Sequence, residues 1–252
     1  MSSMSVIATR GIIVKRRNYK EADRIVTIFT RSLGVITAQI RGVRKTTSKL
    51  AGHSEPFMII DLRLAEGHSW YTVTHADTIT SFDTLRTNLH QTSSAYYLAE
   101  LICVLFQNND PHPQLYDLFE EMLGLLNKGK NGLLLPSFLW HVMAEIGYSP
   151  ELFTCCSCHE RLTEKNLFFS HDLGGFLDEE HKYADAKARS VSPDVVKLLR
   201  VARRNVHLIP FVEVTQKIAD DFRLIVADFS TKVLEREPKS SAFIKDPHAH
   251  LG

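Results

Sequence analysis

The stretch GIIVKRRNYKEADRIVTIFTRSLGVITAQIR, residues 11–41, decides the fold. Ile12, Val14 and Arg16 alternate with Ile13 and Lys15. Ile25 to Phe29 is a compact run of β-branched and aromatic residues, and Ile36, Ala38 and Ile40 alternate with Thr37, Gln39 and Arg41. A period of two over a short run marks a strand with one buried face. Asn18, then Ser32 with Gly34, supply the turns between these runs. Downstream, Ile60, Leu62 and Leu64 alternate with Asp61 and Arg63, Tyr71 to His75 repeats the period, and Gly52 and Gly67 punctuate. Five short strands without a helical period between them predict a small antiparallel OB-like barrel over residues 1–82.

Past Leu85 the pattern changes, and residues 83–237 read as a mostly α-helical domain. Tyr96 to Phe106 is apolar nearly all round, which predicts a buried helix, with Cys103 in the core. Leu115–Leu126, entered through Pro113 and followed by Gly129, predicts a second helix, and Phe138–Ile146, closed by Gly147, a third. Ser192-Pro193 opens a shorter one, and Val214, Ile218, Phe222, Ile225, Phe229 and Val233 make the apolar stripe of a long last helix. Residues 151–190 read as an irregular insert bearing Cys155, Cys156, Cys158 and Gly174-Gly175, and residues 238–252 as a C-terminal tail. The fold class expected is therefore α+β and multidomain, a barrel followed by helices.

The opening stretch also carries the charge. Residues 1–50 hold eleven Lys and Arg against Glu21 and Asp23 alone, a surplus of nine, whereas the remaining residues carry a deficit of eight. Such asymmetry points to a polyanion-binding end on a neutral or acidic body. No basic amphipathic helix accompanies these residues, which favours nucleic acid over membrane. The apolar runs are too short or too interrupted for a signal peptide or a spanning helix, and clustered cysteines suit a reducing compartment, so a cytoplasmic location is expected. The bases fall into two groups: Lys15, Arg16, Arg17, Lys20 and Arg24, and Arg41, Arg44, Lys45 and Lys49. Tyr19 lies inside the first and is the candidate for stacking on a base, since single strands need a positive groove and aromatic faces together.

Catalytic signatures do not emerge. The chain has no phosphate-binding glycine loop, nucleophile elbow or H-E-x-x-H pair, and the acidic pairs Glu120-Glu121, Glu179-Glu180 and Asp220-Asp221 read as solvated. A non-enzymatic binding protein is the expectation.

Several runs resemble one bacterial family in order along the chain. Tyr19-Lys20-Glu21-Ala22-Asp23-Arg24-Ile25-Val26, Arg41-Gly42-Val43-Arg44-Lys45, Ser48-Lys49-Leu50-Ala51-Gly52 and Pro56-Phe57 look like the opening of RecO proteins. Tyr97-Leu98-Ala99-Glu100-Leu101, Gly147-Tyr148, the cysteine region, Gly174-Gly175 and Lys239-Ser240-Ser241-Ala242-Phe243 continue the likeness. The resemblance implies an OB-fold joined to a helical domain with a small zinc-finger-like insert. It implies a nucleoid-associated recombination mediator that binds single- and double-stranded DNA and anneals complementary strands. Such a protein helps load RecA onto DNA coated by single-stranded DNA-binding protein, with RecR and in some settings RecF.

The resemblance also implies a metal site, because many RecO proteins carry two C-x2-C pairs in the insert. Here the first pair is Cys155 and Cys158, and the matching second positions are Asp178 and His181. Both replacements are zinc ligands in other proteins, so a structural zinc is one expectation. The other is an insert held by ordinary packing, with Cys156 spare and His159 as a competing ligand. For the acidic tail of single-stranded DNA-binding protein, an apolar groove with Arg200, Arg203 and Arg204 as flanking bases is one reading. An exposed helix end is the other. Two further functional classes stay open: an RNA- or DNA-binding OB module with a docking domain and no recombination role, and an enzyme whose site lies in the insert.

Overall fold

The computed structural model describes residues 6–106, 110–130, 132–163 and 165–234, and within it the chain divides into two compact units, Met1–Gly129 and Lys130–Gly252. The RecO-like run at 239–243, the tail at 238–252 and the side chain of Val233 lie outside the described residues.

The first unit is built on a closed five-stranded barrel: β1 (Val6–Tyr19), β2 (Asp23–Thr30), β3 (Gly34–Ile40), β4 (Ile59–Ala65) and β5 (Tyr71–Thr80). The strand order is β1-β2-β3-β5-β4, closing β4 back onto β1. All pairings are antiparallel except β3 with β5, where Ala38 faces Tyr71 and Gln39 faces Thr72 in a parallel register. This short parallel pair closes the OB-like barrel that the alternation predicts. The inward residues Ile13, Val26, Ile28, Ile36, Ala38, Ile40, Ile60, Leu62, Leu64 and Val73 form one buried cluster. β1 runs further than the alternation suggests because a bulge between Ile13 and Lys15 absorbs the run Ile12-Ile13-Val14, all buried, and lets pairing continue to Tyr19.

Three helices complete this unit: α1 (Asp83–Thr87), α2 (Leu89–Leu105) and α3 (Pro113–Asn127). Phe29, on the outer face of β2, packs its ring against Tyr116 and Phe119 of α3, and Arg31 grips Asp117 with two hydrogen bonds of 2.9 and 3.0 Å. The expectation that α2 is buried all round is corrected. Ala95, Leu98, Leu101 and Ile102 are buried, but Tyr96, Val104 and Cys103 are exposed. An unbroken apolar run carries no face information, so one side of α2 remains open although its sequence reads as core.

In the second unit, α4 (Leu134–Glu145), α5 (Pro193–Arg204) and α6 (Gln216–Leu234) pack together around Trp140, whose indole N–H donates to the Leu199 carbonyl at 3.0 Å. Ser192 caps α5, its side chain accepting from the Val195 N–H, with Pro193 in the first turn as expected. Val214 of the expected stripe precedes α6 rather than lying in it. The insert is less irregular than its sequence suggests. It holds a three-stranded sheet, β7-β6-β8, made of β6 (Leu167–Ser170), β7 (Gly175–Leu177) and β8 (Arg189–Val191). Strands of three and four residues are too short to show a period.

Candidate nucleic-acid interface

Past Ile12, where its pairing with β4 ends, β1 continues paired to β2 as far as Tyr19, and this end of the β1–β2 hairpin carries the first basic group. In an antiparallel pair, residues opposite one another share a face. Arg16 lies opposite the core residue Val26 and Asn18 opposite Arg24, so Arg16 and Arg24 stand on the inward side at the barrel mouth. Lys15, Arg17 and Tyr19 take the other side.

Asp23 joins the two basic groups. Its Oδ1 accepts from the Gly42 N–H at 2.8 Å and its Oδ2 from the Gln39 side chain at 2.7 Å. The Gly42 bond holds the Asp23 carboxyl below its ordinary range; partial burial opposes this, and Gln39, Lys20 and Arg41 add to the lowering. Gly42 itself sits at φ +64°, a left-handed conformation that a residue without Cβ adopts freely. Arg44 completes the junction: its N–H donates to the Ala22 carbonyl and its guanidinium to the Glu21 carbonyl at 3.0 Å. The turn at 41–45 is thereby fastened to the hairpin at 20–23, and Lys20, Arg41, Arg44 and Lys45 gather at one place with their side chains exposed.

The structure sorts the eleven N-terminal bases. Arg10, Arg16, Arg24 and Arg31 are committed to Asp61, Glu55, Glu55 and Asp117 respectively. Among the described residues, Lys15, Arg17, Lys20, Arg41, Arg44, Lys45 and Lys49 form no ion pair within 4.0 Å. Of these, Lys15 lies back along β1 from the hairpin tip, near enough to α2 for its charge to act on the Cys103 thiol. Lys49 lies in the segment entering the short 3-10 turn at Ala51–His53, with no recorded bond to the hairpin among the described residues.

Tyr19 has a neighbour that sequence reasoning missed. Trp70, in the loop between β4 and β5, meets its ring edge-on, with centroids 5.5 Å apart and planes at 89°. Above Tyr19 lie the Arg17 guanidinium at 6.0 Å and the Lys20 ammonium at 5.4 Å. Both aromatics are only half-buried. The signal was present in Gly67-His68-Ser69-Trp70: an aromatic in a hairpin loop between two strands has no core to enter. Beside it opens a cleft of about 350 Å³ lined by Ile36, Thr37, Glu66, His68, Trp70 and Tyr71.

The insert brings all four expected ligands together. Ligand atoms of Cys155, Cys158, Asp178 and His181 lie within 4.8 Å of one another. A tetrahedral zinc with bonds of about 2.0–2.3 Å would place its ligands about 3.3–3.8 Å apart, so modest contraction suffices and the donor set fits that ion. The Cys158 thiol already donates to Asp178 Oδ2 at 3.4 Å, and His181 Nδ1 stands 2.8 Å from Asp178 Oδ1. Burial tends to raise the Asp178 carboxyl, but bonds from the side chain and backbone of His181 and from the two thiols outweigh it and hold it at about 2. Gly175 lets the second half of the site approach the first: a Cβ there would stand 2.6 Å from both the Cys156 sulfur and the Glu151 carbonyl oxygen. Cys156 packs there, and exposed His159 forms the left-handed turn at φ +63°; neither joins the four-residue group.

Arg200, Arg203 and Arg204 do not frame a groove for a peptide. Arg200 donates twice to the Leu152 carbonyl and Arg203 to the Pro150 carbonyl. Arg200 and Arg204 both lie 4.9 Å from the Phe153 ring. They fasten the insert to the end of α5, with backbone carbonyls taking the place of a ligand.

Comparison with known proteins agrees along most of the chain. Residues 4–82 match the family model described as Recombination protein O N terminal, and residues 86–242 match Recombination protein O C terminal. A DNA repair protein RecO of Dehalococcoides mccartyi is 33% identical over 234 residues, covering 92% of each chain. One from Roseiflexus is 33% identical over 96% of this chain and 86% of its own, and one from Pelotomaculum thermopropionicum 32% identical over 96% and 94%. With both domain models matched and relatives of this similarity aligned nearly end to end, the chain belongs to the RecO family of DNA-repair and recombination proteins.

Proposed function

We propose that the barrel grips single-stranded DNA at the hairpin end, without sequence preference, and that the protein acts there as a non-catalytic recombination mediator. The observation that carries this reading is the junction at Asp23, which gathers Lys20, Arg41, Arg44 and Lys45 beside the Tyr19–Trp70 pair. Loops between the first two and last two strands are where OB-folds take oligonucleotides. Cations would hold phosphates, which carry no base information, and the two rings would stack on unpaired bases. Two complementary strands held on one neutralised surface repel each other less, which favours annealing. Loading of RecA and partnership with RecR and RecF belong to the same reading, by family.

Partnership with single-stranded DNA-binding protein belongs to the same reading by family. The apolar groove of the second unit lined by Leu198, Val201, Val212, Val214 and Ile218 is bordered by Asp194 and Glu213 as well as by Lys197, which pairs with Asp194, so its charge does not favour an acidic tail. In the insert, Cys155, Cys158, Asp178 and His181 would hold a structural zinc. Four protein ligands leave no open position for a reacting water, which favours a structural over a catalytic role.

Titration of fluorescent oligonucleotides tests the interface. Trp70→Ala is expected to cost about 1–3 kcal/mol of single-strand affinity, as the loss of one stacking ring does elsewhere. Arg44→Ala/Lys45→Ala is expected to weaken binding equally for every sequence. Unchanged affinity in both variants would remove the site from this face.

A further inference from the structure

Two arginines at the barrel mouth already hold an anion. Arg16 donates to Glu55 Oε1 at 2.9 Å, and Arg24 donates to the same oxygen at 3.1 Å and to the Ser54 hydroxyl at 2.6 Å. Ser54 is itself buried and anchored, its hydroxyl donating to the Ala51 carbonyl at 2.9 Å. A single carboxylate oxygen thus serves two guanidiniums, and the buried Nε–H of Arg24 is left with no acceptor. The arrangement carries one unmatched positive charge and an incomplete set of hydrogen bonds. A phosphodiester, with two unesterified oxygens, suits paired guanidiniums better than one shared carboxylate oxygen does.

We propose that Arg16 and Arg24, backed by Ser54, form a phosphodiester subsite whose ligand position is held by the Glu55 carboxylate, and that an incoming strand binds there by displacing Glu55. This rests on the nucleic-acid reading above. The exchange is feasible because the pair is accessible: the Arg16 and Glu55 side chains are 36% and 31% exposed, and ion pairs of that exposure hold weakly in salt. Glu55 keeps the mouth compact without DNA and lowers affinity for stray anions, since each must first compete with a tethered carboxylate. Both arginines stand at the end of the barrel that bears the hairpin, so a strand reaching Lys20 and Arg44 can extend to them.

The test is a salt series of single-strand binding by the full chain, wild type against Glu55→Gln, with circular dichroism to verify folding. Glutamine retains an oxygen acceptor for the arginines but removes the charge. One further phosphate would then be neutralised at full strength, so the slope of log affinity against log salt should steepen by about 0.7 and affinity at 50 mM should rise about five- to tenfold. In Arg16→Ala the same slope should become shallower than wild type, which decides the matter should Glu55→Gln not fold. Binding by wild type with no gain in Glu55→Gln would overturn the exchange and leave the interface standing. Failure of wild type to bind any oligonucleotide would overturn the interface and the exchange together.

Discussion

Asp23 shows how an acidic residue can serve a cationic surface. Counting charges, removing it should strengthen binding to a polyanion. Its two oxygens, however, hold Gly42 and Gln39, and through them the turn that delivers Arg41, Arg44 and Lys45 to the hairpin. Asp23→Ala is therefore expected to bind single-stranded DNA more weakly than wild type despite the gained positive charge. Asp23→Asn retains an acceptor for Gly42 and should bind at least as tightly as wild type. Fluorescence anisotropy of both variants checks this; tighter binding by Asp23→Ala would show that charge alone governs. The pairing of Arg16 and Arg24 with Glu55 was hidden in the sequence because those residues lie 39 and 31 positions from their partner. Local pattern carries no information on such contacts. Trp70 was legible in its loop, though its meeting with Tyr19 required the fold.

At the scale of elements, α3 is clipped to the barrel by Arg31 and Asp117. The Arg31 hydrogen bonds and charge hold the Asp117 carboxyl below its ordinary value of 3.8. A carboxyl depressed in the folded state contributes stability above its unfolded pKa and loses it as pH falls through the folded value. Both side chains are about half exposed, so solvent screens the pair and its contribution to stability is small. Asp117→Asn should lower the thermal midpoint by a few degrees at pH 7, and the difference should vanish well below pH 3.8. Thermal melts at both pH values measure it; an equal deficit at each would place the loss in packing. The insert gives a second expectation. One zinc per chain should be found by elemental analysis and lost in Cys158→Ser, with Gly175→Ala reducing it by forcing a Cβ against Cys156. Metal content equal in wild type and Cys158→Ser would contradict the site. The barrel was legible because alternation is unambiguous when one face is buried, whereas the exposed side of α2 and the short strands of the insert were not. Their sequences carry too little contrast or length to mark a face.

At the scale of the whole molecule, the near-neutral net charge of +1 conceals a strongly basic first fifth and an acidic remainder. Four of the eleven N-terminal bases are paired within the fold, to three carboxylates, which leaves the hairpin end as the place where most of the charge is available to a ligand. About five phosphates can be met by Arg17, Lys20, Arg41, Arg44 and Lys45, and the Arg16–Arg24 subsite, opposed by Glu55 in wild type, adds only a fraction of one more. At about 0.7 per phosphate this sets a slope near −3.5, or roughly a hundredfold loss between 50 and 200 mM salt. The most direct measurement is the affinity of the full chain for single strands of several sequences across that salt range. The account expects a slope near −3.5 shared by all sequences. Affinity indifferent to salt, or no binding at 50 mM, would contradict it.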